Sequence, residues 1–143
     1  MKIEEITTYH PKIHEAIGKF LHLLTGNVYP ITKEQVEEIL SDKNSHLFFA
    51  VNDTGAYSGM ITVGLYCSPT GKKAWIEDVV VDEKYRGEGV GKNLTNFAIQ
   101  FAKEQQADVV MLTSKPARIS ANNLYKKVGF EQKETNVYRM MFK

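Results

Sequence analysis

The stretch WIEDVVVDEKYRGEGVGKNL, Trp75 to Leu94, decides how the rest of the chain is read. It opens on an apolar, β-branched run, Trp75-Ile76-Glu77-Asp78-Val79-Val80-Val81, which reads as a buried strand. A charged turn follows from Asp82 to Arg86, and glycines then alternate through Gly87-Glu88-Gly89-Val90-Gly91. Val90, Leu94, Phe97, Ala98 and Phe101 recur at three- and four-residue spacings, which predicts a helix with one apolar face. Strand, glycine turn and helix start together make an anion site. Glycines let the backbone turn tightly and approach a ligand. The unpaired amides of the first helical turn point at that ligand, and the helix dipole favours negative charge there. A phosphate group is the expected occupant.

Three glycine motifs compete for that phosphate. A Walker loop needs Ser or Thr after its lysine, but Gly91-Lys92 is followed by Asn93, and the first glycine stands too close. A dinucleotide fingerprint needs G-x-G-x-x-G directly after the first strand. Here the pattern is G-x-G-x-G, five residues late, with roughly half of the chain ahead of it. Asp108 falls at about the acidic position of that motif, yet at the start of the next strand, not its end. The third pattern, Arg-x-x-Gly-x-Gly, fits Arg86, Gly89 and Gly91. In this loop the chain resembles the GNAT superfamily of acyl-CoA-dependent N-acyltransferases. The resemblance implies that the loop and helix start hold the pyrophosphate of coenzyme A, and that the preceding strand bonds the pantetheine arm.

Outward from this centre the chain reads as one domain. Its 143 residues, 43% of them hydrophobic, suit a single core spanning 1–143. A formal net charge of +1 gives no electrostatic case for nucleic acid or a membrane surface. One cysteine, Cys67, excludes an internal disulfide, fits a reducing compartment and reads as a small core hydrophobe. No apolar leader or spanning run is present, so a cytoplasmic protein is expected.

Ile3 to Thr8 is a short first strand, and Pro11 to Leu24 a helix carrying Ile13, Ile17, Phe20, Leu21 and Leu24 on one stripe. Thr32, with Gln35 three residues later, marks a capping box for a second helix. Between them lies Gly26-Asn27-Val28-Tyr29-Pro30, with an exposed aromatic candidate in Tyr29. His46–Val51 and Tyr57–Cys67 are strands joined by a hairpin turn, so three antiparallel strands precede the ligand loop. Asp108–Thr113 is a further buried strand, parallel to the Trp75 strand across the crossover helix. Ala117–Val128 is a short helix ended by Gly129, and Val137–Phe142 a last strand. The expected architecture is α/β (α+β): a GNAT-like mixed, mainly antiparallel six- to seven-stranded sheet, with about four helices on both faces. The four histidines lack metal-ligand spacing and no G-x-S-x-G occurs, so no metal is expected.

Acyl transfer from a thioester to an amine needs a base for the ammonium, donors for the oxyanion and a proton for the leaving thiolate. Glu77, a carboxylate inside an apolar strand, is the candidate base, directly or through a water, and also borders the acceptor. Burial there raises its pKa toward working pH. Its neighbour Asp78 points to the opposite face by the two-residue period of a strand. The segment Arg118-Ile119-Ser120-Ala121-Asn122-Asn123-Leu124-Tyr125, with Gly129-Phe130 after it, is again similar to the GNAT pattern Asn-x-x-Ala-x-x-x-Tyr. That resemblance implies Tyr125 as the acid beside the coenzyme sulfur and Asn123 as a coenzyme contact. Arg118 stands where the pattern has its first Asn, so the coenzyme contact of that asparagine does not carry over to position 118. The resemblance likewise implies coenzyme binding by the backbone of Val79, Val80 and Val81 and by Arg86, Gly87, Glu88, Gly89, Val90, Gly91 and Lys92, with Tyr29 bordering the acceptor. The strand and its Tyr85-Arg86-Gly87 resemble glucosamine-6-phosphate N-acetyltransferases in particular.

The expected function is an N-acetyltransferase using acetyl-CoA as co-substrate and a primary amine as acceptor, with direct transfer in a ternary complex. A small-molecule acceptor is favoured, and the resemblance allows a homodimer. A protein or peptide amine and a non-catalytic acyl-CoA sensor are the alternatives, with a nucleotide-binding regulatory domain third.

Overall fold

In the computed structural model, which describes Met1–Lys143, the chain runs β1 (Lys2–Glu5), α1 (Pro11–Thr25), α2 (Lys33–Ser41), β2 (Ser45–Val51), β3 (Tyr57–Ser68) and β4 (Gly71–Val81). A 3-10 turn (Glu83–Tyr85), α3 (Val90–Glu104), β5 (Val109–Met111) and α4 (Ile119–Lys127) complete it. The backbone clusters into two units, Met1–Thr113 and Ser114–Lys143.

The first unit is a mixed five-stranded sheet in the order β1-β2-β3-β4-β5. The first three pairings are antiparallel, and β4 with β5 is parallel. Alternate residues of β2 serve opposite faces. Phe49 meets Phe20 of α1 edge-on at 5.6 Å, while Phe48 meets Phe97 and Phe101 of α3 at 4.9 and 5.0 Å. So α1 packs on one face of the sheet and α3 on the other. Burying each such ring removes apolar surface worth about 1.5–3 kcal/mol. Local signals agree with this packing. Pro11 sits in the first turn of α1 and Gly26 ends it at φ 76°. Thr32 and Gln35 form both bonds of a capping box on α2.

Gly59 sets how closely α3 approaches the sheet. A Cβ there would lie 2.8 Å from the Val80 carbonyl, 2.9 Å from Leu94 Cδ1 and 3.1 Å from Val90 Cγ1. Because one obstacle is backbone, Gly59→Ala should cost roughly 1–3 kcal/mol by overpacking, read as a lowered midpoint in a thermal or denaturant melt.

Several expectations change. The sheet has five strands, not six or seven, because Val137–Phe142 is not a strand. An apolar run becomes a strand only where a partner backbone takes up its hydrogen bonds, and no ladder includes residues past Met111. Tyr138 and Phe142 are 88% and 91% exposed. The strand expected over Asp108–Thr113 shrinks to Val109–Met111 and is only partly covered. Cys67 is exposed, not core. Pairing of β2 to β3 stops at Gly64, so the β3–β4 hairpin runs on beyond its neighbours and leaves Cys67 uncovered.

In the second unit α4 begins at Arg118 without a side-chain cap, since arginine has no oxygen to accept the orphan amides. The Asn122 side chain donates instead to the Lys115 carbonyl at 2.9 Å. Gly129, at φ 115°, lets Phe130 turn back, and the Tyr125 and Phe130 rings meet edge-on at 6.0 Å.

Candidate active site

The glycine loop is held from below by a buried carboxylate. Asp82, 4% exposed, directly follows β4 and caps the 3-10 turn by accepting from Lys84 N–H at 3.0 Å. Lys19 of α1 donates to its other oxygen at 2.7 Å, and this bond above all holds the Asp82 carboxyl below its usual range. The backbone N–H of Asp82 donates to the Ser58 carbonyl at 2.9 Å. The end of β4 is thereby tied to α1 and β3.

Past this anchor the backbone is left-handed at Gly87 (φ 83°) and Gly89 (φ 79°), a conformation that costs any residue with a Cβ. Gly89 is the N-cap of α3, and no side chain caps that helix. The first helical bond runs from Asn93 N–H to the Gly89 carbonyl at 3.0 Å. The amides of Val90, Gly91 and Lys92 are left with no acceptor inside the helix. Arg86, Glu88 and Lys92 are exposed around them, while the Val90 side chain is buried, so Val90 offers only its backbone.

The strand before the loop has an open edge. β5 pairs with β4 only through Lys73, Ala74 and Trp75. From Ile76 to Val81 the peptide groups on that side have no strand neighbour, and Val79–Val81 lie within this stretch. Uncapped amides, left-handed glycines and a free strand edge are a donor set that fits a pyrophosphate joined to an amide-bearing arm.

The carboxylates sit where β4 is interrupted. Thr62 pairs with Glu77 but Met60 pairs with Val80, so β4 carries an extra residue opposite β3. Asp78 is in the left-handed region at φ 50°. Such a bulge breaks the two-residue alternation. Asp78 therefore does not turn to the other face as the sequence period predicted. It lines a cavity of about 260 Å³ together with Thr62, the register partner of Glu77. Glu77 is exposed, not buried as its apolar strand predicted, and so is Asp78. Neighbouring atoms still take enough water from both carboxyls to raise them above their ordinary range, and the adjacent Asp78 charge raises Glu77 further.

That cavity lies between α1, α2 and the sheet. Leu21 and Leu24 wall it from α1, Ile39 from α2, and Met60 from β3, with Tyr29 at its mouth. Asp78 is the only ionisable residue in the lining apart from the Tyr29 phenol. The loop that carries Tyr29 and Ile31 is pinned by His14. Its Nε2–H donates to the Ile31 carbonyl at 2.7 Å, and Nδ1 accepts from the Tyr9 hydroxyl at 2.8 Å. Tyr29 is 53% exposed and also borders a shallower hollow that carries Glu38 and Asp42.

The sequence matches the acetyltransferase (GNAT) family over residues 14–130. The chain belongs to that family. It is 32% identical over 108 residues to a streptothricin acetyltransferase of Escherichia coli, covering 76% of this chain and 60% of that protein. Over 61 residues it is 39% identical to an uncharacterized N-acetyltransferase of Methanocaldococcus jannaschii, covering 43% of this chain and 27% of that one. The chain thus spans about a quarter to three fifths of the length of these relatives. A crystal structure described as a transcriptional regulator from Bacillus halodurans superposes with a TM-score of 0.84 at 27% identity, covering 99% of both chains.

In the second unit of this GNAT chain, Tyr125 is 5% exposed. Burial raises its phenol above the ordinary range, against a smaller lowering by the Arg118 charge. Asn123 is exposed on α4. The position of the family's asparagine falls on the α4 N-cap, where Arg118 makes no capping bond. Sequence reasoning missed Lys19, whose pairing with Asp82 spans 63 positions, and missed the bulge that turns Asp78 into the cavity.

Proposed function

We propose that residues 1–143 form one N-acetyltransferase domain that moves the acetyl group of acetyl-CoA to a primary amine of a small molecule, directly, with both substrates bound together. The match to the GNAT family runs through both compact units, which supports treating them as one functional domain. The observation that carries the reading is the pair of adjacent carboxylates at the interruption of β4, with Asp78 on an apolar cavity and an unpaired strand edge leading from there into the glycine loop.

Acetyl-CoA supplies the activated thioester. The amides of Gly87, Gly89, Val90, Gly91 and Lys92 hold its pyrophosphate, with Arg86 and Glu88 flanking and Asn123 adding a contact from α4. The backbone of Val79–Val81 takes the pantetheine amides as an added strand would. Asp78 receives the acceptor ammonium in the cavity, and Glu77 takes the proton that frees its lone pair. The raised carboxyl makes Glu77 a stronger base than an ordinary glutamate. A phenol is protonated at neutral pH and burial raises Tyr125 further, so its hydroxyl has a proton to give the departing sulfur. No covalent enzyme intermediate is needed, because donor and acceptor are held together. The streptothricin acetyltransferase relative supports a small-molecule acceptor. The family resemblance allows a homodimer, and the single cysteine fits a reducing, cytoplasmic compartment.

The pair predicts its own pH behaviour. Asp78 raises Glu77, so Asp78→Asn removes a like charge and lowers the Glu77 pKa. The acid limb of kcat/KM, where Glu77 becomes protonated, should move to lower pH in that variant. A pH–rate profile of both proteins checks it, and a limb that stays in place or rises contradicts the pairing.

The reading itself is tested by thiol release from acetyl-CoA against amino sugars and their phosphates, polyamines, aminoglycosides, amino acids, simple amines and short peptides. Turnover with a small amine is expected. The likeness to a structure described as a transcriptional regulator favours one second reading, a non-catalytic acyl-CoA sensor. Tight acetyl-CoA binding with silence across the panel would select it.

A further inference from the structure

The cavity says what sort of amine it takes. Its walls are aliphatic on three sides, from α1, α2 and the sheet, and the Tyr29 ring stands at the mouth. One carboxylate, Asp78, serves the whole lining, with the Thr25 and Thr62 hydroxyls as the other polar side chains apart from the Tyr29 phenol. Asp78 is itself exposed, so it offers one ammonium a place at the edge of these apolar walls. A second cation carried inward would lie against aliphatic walls with no carboxylate to meet it, at a cost well above that of one lost hydrogen bond. A hydrocarbon body gains from the same walls. We propose that the acceptor is a primary monoamine on a compact apolar body, an alkylamine or arylalkylamine, with its hydrocarbon part in the α1–α2 cavity and its nitrogen at Asp78. This rests on the acetyltransferase reading above and narrows its substrate class.

The volume of about 260 Å³ bounds the body to a short chain or a single ring. Polycations are the competing class, because the adjoining hollow that shares Tyr29, Ile31 and Ile39 carries Glu38 and Asp42. Those two carboxylates lie outside the cavity, on α2 and its C-cap.

The test is thiol release from acetyl-CoA with a homologous series of n-alkylamines, with phenethylamine, and with spermidine and an aminoglycoside. The expected result is a kcat/KM that rises about fourfold for each added methylene until the cavity is full, then falls. Phenethylamine should rank near the top and the polycations near the bottom. Leu24→Ala, which enlarges the cavity at the end of α1, should move the optimum to a longer chain, with a thermal melt and acetyl-CoA binding confirming that the variant is folded. Turnover of the polycations with no dependence on alkyl length would overturn the monoamine proposal and leave the acetyltransferase intact. No turnover of any amine by a chain that binds acetyl-CoA would sink the acetyltransferase reading, and this proposal with it.

Discussion

Glu77→Gln is expected to lower kcat for acetyl transfer by roughly 10²–10⁴-fold, the range a positioned general base supplies. Glutamine keeps the size of the side chain and the β4 pairing to Thr62 but cannot take a proton. Acetyl-CoA binding should survive, since the proposed coenzyme contacts on this strand come from the backbone after Asp78. Stability should hold or rise. Glu77 has a folded pKa raised above its ordinary value by burial and by Asp78, so the folded state holds that proton more tightly than the unfolded one. Its contribution is fully present below the ordinary glutamate pKa and is lost as pH rises through the raised one. At neutral pH the ionised form carries a cost that solvent keeps small, because Glu77 is exposed, and Gln removes it. A dead enzyme with an undiminished melting temperature is the signature. A variant that keeps its turnover and pH profile removes Glu77 from the chemistry.

Tyr125→Phe is expected to lower kcat by at least about tenfold, the low side of acid catalysis. The ring that meets Phe130 is retained, so α4 keeps its packing and only the hydroxyl is lost. Because burial raises the phenol above its ordinary range, the wild-type alkaline limb assigned to Tyr125 should lie above that range, and the variant should lose it. The leaving group refines the test. A thioester whose thiol is more acidic needs less help from an acid, so the defect should shrink with such a donor. Equal defects with both donors would mean that the hydroxyl acts elsewhere.

Local chemistry was legible in the sequence, and long-range chemistry was not. The capping box at Thr32 and Gln35, the glycine end of α1 and the strand–glycine–helix order of the ligand loop each depend on neighbours within a few positions. All were read from the sequence. The expected last strand failed because strand formation depends on a partner, and an apolar string such as Met140-Met141-Phe142 does not say whether one exists. Cys67 was misplaced because the sequence does not reveal that β2 ends its pairing at Gly64, short of the β3–β4 hairpin.

The candidate site divides in the same way. A polar residue in an apolar strand, Glu77, stood out by contrast with its neighbours. The alternation rule then turned Asp78 away, because the extra residue opposite Met60–Thr62 appears only in the pairing. The role of Lys19 was hidden for a plainer reason: an exposed-looking lysine on a helix gives no sign of a partner 63 positions later. The loss of the family's asparagine at Arg118 was visible in the sequence. Its structural consequence, an α4 start without a side-chain cap, was not.

The central claim is direct transfer between two bound substrates, and initial-rate kinetics tests it most directly. Acetyl-CoA and an accepted amine are varied together, with thiol release followed optically and the acetylated amine counted by mass spectrometry. The account predicts intersecting reciprocal plots and one acetylated amine for each thiol released. Parallel plots with acetyl groups accumulating on the protein, or thiol release with no acetylated amine, would contradict it.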